Sequence, residues 1–314
     1  MSISRHLVDP ELAPLLEMPS LDLTPETLAE VRANPMFTGA DVPPPPFPVR
    51  EAFAPVESGP DVRLLVIDPP TGNTGRGAIL HIHGGGMVVG SADSAVADKP
   101  LLAAEHDCVV VSVDYRLAPE TPFPGAQEDN YGALLWLVEH AGELGVDPGR
   151  IVVMGESAGG GLAASLALMA RDRGGPPLAG QALIYPMLDW RTGGPDDPHP
   201  NRHTGEFIWT RDKNRFGWDA LRGDYEARDE RKGWFSPALA DDLSGLAPAY
   251  IATGALDLFL DEDLAYARRL IDCGVRTELH VYPGAIHAFD AVPGTGLGAQ
   301  AAMDLQRGLA RLLA

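Results

Sequence analysis

The chain has 314 residues, of which 45% are hydrophobic and 22% charged, a balance that suits a soluble globular protein with one large domain and an insertion, or two smaller domains. Its 44 acidic and 24 basic residues leave a formal net charge of -20. Such a surface repels phosphate backbones and anionic lipid, which argues against nucleic acid and membrane partners and mildly favours neutral substrates. Two cysteines, Cys108 and Cys273, make no disulfide framework in a chain this long and are expected as separate reduced thiols in the cytoplasm. No signal peptide is expected at the N-terminus, and no apolar stretch is long enough to span a bilayer.

In chain order, residues 1–45 read as a helical arm. Asp9-Pro10-Glu11 and Thr24-Pro25-Glu26 each supply a cap residue, a proline at the first helical position and an acid in the first turn. Residues 43–46 are consecutive prolines and should break the chain into an extended stretch. The arm holds little apolar content, so it is expected to pack on something larger. Strands and helices then alternate. Strands are predicted over 62–67, 78–82, 108–113, 151–154, 181–185, 249–253 and 278–282, with a turn at 147–150. The run at 108–113 is nearly continuous in apolar residues, as for a central strand buried on both faces. Helices are predicted over 131–140, 158–171, 258–273 and 301–313. This alternation predicts an α/β fold, a mostly parallel sheet with helices on both faces.

Residues 190–235 break the rhythm. They mix Gly, Pro and charges with Trp190, Phe207, Trp209, Phe216, Trp218, Trp234 and Phe235. The segment is expected as a cap insertion, against the alternative that its aromatics merely anchor a surface excursion. The expected organisation is the arm over 1–45, a main body over 46–189 and 236–314, and the insertion over 190–235.

The chemistry concentrates at Gly155-Glu156-Ser157-Ala158-Gly159, between an apolar strand and a helix. A serine there projects from a tight, strained turn that admits only small side chains two positions before and after it. A second motif, His83-Gly84-Gly85-Gly86, follows the strand over 78–82. Its glycines let main-chain amides face a developing oxyanion, together with the Ala158 amide. His83 is expected to shape that loop by hydrogen bonding. A serine hydroxyl is a weak nucleophile and needs a base, which needs an orienting acid. After such a turn the acid and then the histidine follow in chain order. Asp257 sits just past the strand over 249–253 and is preferred to Asp261, Glu262 and Asp263, which fall where acids serve a helix dipole. Four histidines follow Ser157, namely His199, His203, His280 and His287. The first two lie in the insertion and His280 lies inside a strand, which leaves His287, in a loop, as the base.

Taken together with Asp114-Tyr115-Arg116-Leu117-Ala118-Pro119-Glu120, Phe123-Pro124, Tyr185-Pro186, Ser236-Pro237 and Asp257 followed by Asp261-Glu262, these motifs resemble the bacterial hormone-sensitive-lipase family of esterases. The resemblance runs from about residue 75 to the end. It implies the α/β-hydrolase fold, with 46–189 and 236–314 as the catalytic domain under a helical cap built from the arm over 1–45 and the insertion over 190–235, Ser157, Asp257 and His287 as a catalytic triad, and Gly84, Gly85 and Ala158 as oxyanion-hole donors. It implies a carboxylesterase of short- to medium-chain acyl esters, and a homodimer paired through the strand over 278–282. Met87, Glu156, Phe207 and Trp209 are expected at the substrate pocket. The chain departs from the family at Glu156, usually Asp, at Leu258, usually Pro, and at Ala288, usually Gly. A non-catalytic small-molecule receptor on the same fold, or an amide or thioester hydrolase with the same triad, are the alternatives; the presence of His287 speaks against the receptor.

Asp114 and Arg116 are read as structural ion-pairing residues. Gly159-x-Gly161-x-x-Ala164 mimics a dinucleotide fingerprint, but Ser157 occupies the turn and no acid ends a following strand at the required spacing. No metal-ligand spacing of the paired-cysteine or H-E-x-x-H kind is present, so neither cofactor nor metal is expected.

Overall fold

The strands are β1 Val49–Ala54, β2 Val62–Ile67, β3 Arg76–Ile82, β4 Val109–Val113, β5 Val146–Glu156, β6 Gly180–Ile184, β7 Ala249–Gly254 and β8 Thr277–Tyr282, with Val, Ile and Leu concentrated in β2, β3 and β4. They belong to a computed structural model that describes residues 2–17, 22–38, 44–57 and 59–314. The strands make one sheet in the order β1-β2-β4-β3-β5-β6-β7-β8. Strand β2 runs antiparallel to both its neighbours, and every pairing from β4 to β8 is parallel.

The central strands β3, β4, β6 and β7 are buried along their whole length, which is why they read as apolar runs rather than alternations. Successive residues still serve opposite faces. Ala78, Leu80 and Ile82 join one core cluster, and Ile79 joins the other. The first cluster takes the helices Gly125–Glu139, Ala158–Asp172 and Leu260–Asp272; the second takes Lys99–Glu105 and Gly296–Leu312.

The sheet ends are where expectation and structure part. Strand β1 is absent from the predicted set, because Arg50 and Glu51 are exposed on an edge strand and dilute its apolar signal. The turn expected at 147–150 lies within the bounds of β5 as a bulge. The register there jumps from Arg76↔Val146 to Ala78↔Ile151, and Asp147 Oδ1 accepts the Gly149 amide at 2.9 Å. The helices Lys99–Glu105 and Arg211–Arg222 are also additions.

The arm carries the expected cap at Asp9, whose side chain accepts the Glu11 amide. At Thr24 the helix starts later than expected, at Leu28, because Thr24 and Thr27 first close a turn by exchanging side-chain to backbone bonds. Pro43 lies outside the described residues, and 44–46 adopt neither helix nor strand. Arg32 fastens the arm to the body: it donates to Val88 O, Ala118 O and both Glu120 carboxylate oxygens, each at 2.8 Å. From the 190–235 segment, Glu206 accepts the Ile3 and Ser4 amides at 2.9 and 2.8 Å.

Candidate active site

Because β5, β7 and β8 are parallel, the segments that leave their C-terminal ends meet along one edge of the sheet. Ser157 follows β5, Asp257 follows β7 and His287 follows β8. His287 Nε2 lies 2.9 Å from Ser157 Oγ. His287 Nδ1 lies 2.8 Å from Asp257 Oδ2, and Asp257 Oδ1 accepts the Phe259 amide at 3.0 Å. With its proton on Nδ1 donated to the carboxylate, the imidazole presents Nε2 as acceptor to the serine hydroxyl. All three side chains are buried. Phe259 and Tyr185 meet the imidazole edge-on, with ring centroids 5.3 and 4.9 Å away.

Ser157 holds φ 56 and ψ -120, a left-handed conformation that a side chain adopts only under constraint. The constraint comes from close packing. Its amide donates to Ile184 O at 2.8 Å and its carbonyl accepts the Met187 amide at 3.0 Å. A Cβ on Gly159 would fall 2.0 Å from Ile82 O, and one on Gly155 would fall 2.3 Å from the Gly159 backbone.

Gly84 and Gly85 line the cavity beside Ser157. A Cβ on Gly84 would fall 3.0 Å from Glu156 O, so the loop backbone presses against the serine turn. Ala158 opens the helix Ala158–Asp172, and its amide is one of those a helix start leaves without an intrahelical acceptor. His83 shapes this loop. Its Nδ1 donates to Gly84 O at 2.8 Å, its ring stacks on Tyr115 at 4.2 Å, and burial drives its pKa down to about 4. It is therefore neutral at pH 7.

Glu156 is the hub of a charged cluster behind Ser157. Its carboxylate accepts from His81 Nε2 and from Lys99 Nζ, both at 2.9 Å. Lys99 also reaches Asp98 at 2.8 Å, and His81 Nδ1 lies 2.9 Å from Ser112 Oγ. Burial alone would raise the Glu156 pKa, but the Lys99 ammonium and His81 outweigh it and hold the carboxyl far below the usual range.

The cavity above Ser157 measures about 430 Å³. Phe207, Trp209 and Glu156 stand in its wall. Met87 does not: it is buried in the core cluster beneath the loop, at φ 65, with its carbonyl taken by the Ala118 amide. The loop's turn after Gly85 directs that side chain inward. Of the aromatics between 190 and 235, Trp190, Phe216, Trp218, Trp234 and Phe235 pack on the body, and only Phe207 and Trp209 reach the wall. The wall also takes Leu15, Leu23 and Val31 from the arm, and Tyr185, Ile208 and Lys213. Of these additions only Tyr185 had a sequence signal, in Tyr185-Pro186.

Of the rival groups, Asp261, Glu262, His203 and His280 are engaged elsewhere. Asp261 accepts from Asn201 at 3.0 Å. Glu262 does more than serve a helix dipole: buried, it accepts the amides of Leu188 and Asp189 and the Thr192 hydroxyl, and burial, then the Asp189 charge, raise its pKa well above the usual value. His203 lies by Ser4 and His280 by Glu278. Asp114 pairs with Arg63 at 3.3 Å and Arg116 with buried Asp129 at 2.7 Å, the structural roles expected of them. No cluster of His, Cys, Asp or Glu suited to a metal occurs among the described residues.

A strand-to-helix serine turn with a histidine and a carboxylate delivered by later strands of a mostly parallel sheet defines a serine hydrolase architecture. A family model described as the alpha/beta hydrolase fold matches residues 79–291. The chain is 34% identical over 297 residues to a carboxylesterase, NlhH, of Mycobacterium tuberculosis, across 92% of this chain and 90% of that protein. It is 38% identical over 236 residues to an arylesterase of Saccharolobus solfataricus, across 72% of each. The solved structure of a bacterial heroin esterase superposes with a TM-score of 0.89 at 35% identity, across 98% of this chain and 99% of that one. The chain belongs to the α/β-hydrolase family, in its bacterial hormone-sensitive-lipase branch.

Proposed function

We propose that Ser157, His287 and Asp257 carry a two-step acyl transfer that makes this protein a carboxylesterase. Ester hydrolysis is the activity that its family membership and its esterase relatives support. The observation that carries the assignment of roles is the unbroken chain from Ser157 Oγ to His287 at 2.9 Å and on to Asp257 at 2.8 Å. Ser157 Oγ attacks the ester carbonyl as His287 Nε2 takes its proton, and Asp257 stabilises the imidazolium. The amides of Gly84, Gly85 and Ala158 receive the oxyanion, where one donor is worth about 10²–10³ in rate. His287 then protonates the leaving alcohol, and a water deprotonated by the same nitrogen releases the acid.

The arm and the 190–235 segment together act as the cap that chooses the substrate. Leu15, Leu23 and Val31 from one and Phe207, Ile208 and Trp209 from the other share the cavity wall. A cavity of about 430 Å³ with such a lining suits short- to medium-chain acyl groups. The exposed apolar side chains of β8, Leu279 and Val281, support pairing of two copies through that edge. Free Cys108 and Cys273 suit a reducing, cytoplasmic setting, and no helix among the described residues is long and apolar enough to cross a membrane.

The test is a Ser157→Ala variant assayed on p-nitrophenyl acyl esters of graded length, with fluorophosphonate labelling of both proteins. The expected outcome is a loss of about 10⁴-fold or more in kcat, with labelling of the wild type alone. Full activity in the variant overturns the assignment.

A further inference from the structure

The chain has only three lysines, Lys99, Lys213 and Lys232. Two of them face carboxylates at hydrogen-bond distance: Lys99 meets Asp98 and Glu156, and Lys232 meets Asp241. Lys213 is different. It stands in the wall of the substrate cavity, on the first turn of the helix Arg211–Arg222. Its Nζ donates to a backbone carbonyl, Ile208 O, at 2.8 Å. Among the described residues no carboxylate comes within 4.0 Å of it. An ammonium has three donors and a full charge, so one carbonyl leaves most of its requirement open.

The wall it shares is largely apolar, with Ile208 and Trp209 from the same segment and Leu23 and Val31 from the arm. Burial lowers its pKa, opposed only by the field of Asp22. The other acidic groups of the wall are already occupied: Glu206 by the Ile3 and Ser4 amides, and Glu156 by His81 and Lys99. The cavity therefore holds, at its cap side, a cation with no carboxylate in hydrogen-bond reach, and the nucleophile at its base.

We infer that Lys213 is a specificity-determining residue that binds a carboxylate on the substrate remote from the scissile ester, so that half-esters of dicarboxylic acids are preferred over neutral esters of equal length. The inference rests on the hydrolase reading of Ser157 and concerns only which esters that site selects. A substrate carboxylate would give the ammonium a charge-assisted hydrogen bond in a partly desolvated site, and the rest of the chain length would lie along the apolar wall. It also sharpens the expectation from net charge: a surface of -20 disfavours anions at long range, but the local field inside the cavity decides binding.

The experiment compares kcat/KM for monoethyl esters of the dicarboxylic acids from succinic to suberic with that for ethyl alkanoates of equal length, followed by ethanol release. Wild type, Lys213→Met and Lys213→Arg are assayed in parallel. The readout is the ratio of half-ester to neutral ester at each length. At the length that spans Ser157 and Lys213, Lys213→Met should lower the ratio by about ten- to a hundred-fold, chiefly through KM. Lys213→Arg should retain most of it, since the charge remains. Added salt should reduce the wild-type ratio more than that of Lys213→Met. A ratio equal in wild type and Lys213→Met at every length overturns the role of Lys213 while neutral-ester turnover keeps the hydrolase reading intact. No turnover of either series by the wild type would instead overturn that reading.

Discussion

Ala288, beside the histidine, sits at φ 57 and ψ 33, the region where glycine is free of strain and alanine is not. That is the physical reason glycine is usual there in the family. Alanine is held there in spite of the strain, and His287 still reaches both Ser157 and Asp257. Leu258, where proline is usual, is buried and packs on Gly205 of the 190–235 segment. The third departure, Glu156, has the largest energetic consequence. Replacing it with glutamine leaves the buried Lys99 ammonium with Asp98 alone, whose side chain is 65% exposed, and should destabilise the fold by about 3 kcal/mol. The Glu156 carboxyl is held below its ordinary 4.5 in the folded protein. Its contribution is therefore complete above that value and fades as pH falls through the folded-state pKa. Urea midpoints of wild type and Glu156→Gln should differ most near neutral pH and converge in acid below about pH 4. A gap that stays constant or widens in acid would rule out this account.

At the scale of elements, the serine turn depends on how closely the helix Ala158–Asp172 approaches β3. Gly159→Ala puts a methyl 2.0 Å from Ile82 O, an atom fixed in the sheet, and should cost about 3 kcal/mol while displacing Ser157 from His287. Gly142→Ala is the matched control: nothing lies within 4 Å of its added methyl, and a shorter list of unfolded conformations should stabilise it by up to about 1 kcal/mol. Thermal unfolding of both variants checks the contrast. The motif's glycines were legible in the sequence as a steric demand. Which backbone imposed it was not, because Ile82 is more than seventy residues away in the chain. Glu262 makes the same point. Its place in a first turn suggests a dipole role, yet it staples the loop after β6 to the helix that follows Asp257.

For the whole molecule, the edges of the sheet matter most. Strand β1 exposes Phe53 at 56% beside the charged Arg50 and Glu51, whereas β8 presents Leu279 and Val281 at 36% and 43% exposure. If two copies pair through β8, sedimentation velocity should show a dimer, and Val281→Glu should shift it to monomer by setting like charges opposite each other. A wild-type monomer at all concentrations would exclude this pairing.

The parallel sheet, the serine turn, the glycine loop and the order of acid and histidine were determined by local sequence, because each rests on short-range demands of strand period, steric fit or turn chemistry. The substrate cavity was decided only in three dimensions. Its wall is assembled from the arm, the loops of the sheet and the 190–235 segment, which lie far apart in the chain and carry no shared pattern. Met87 turned into the core and Lys213 turned into the cavity for the same reason: the direction of a side chain is set by packing between distant segments, and no local propensity encodes it.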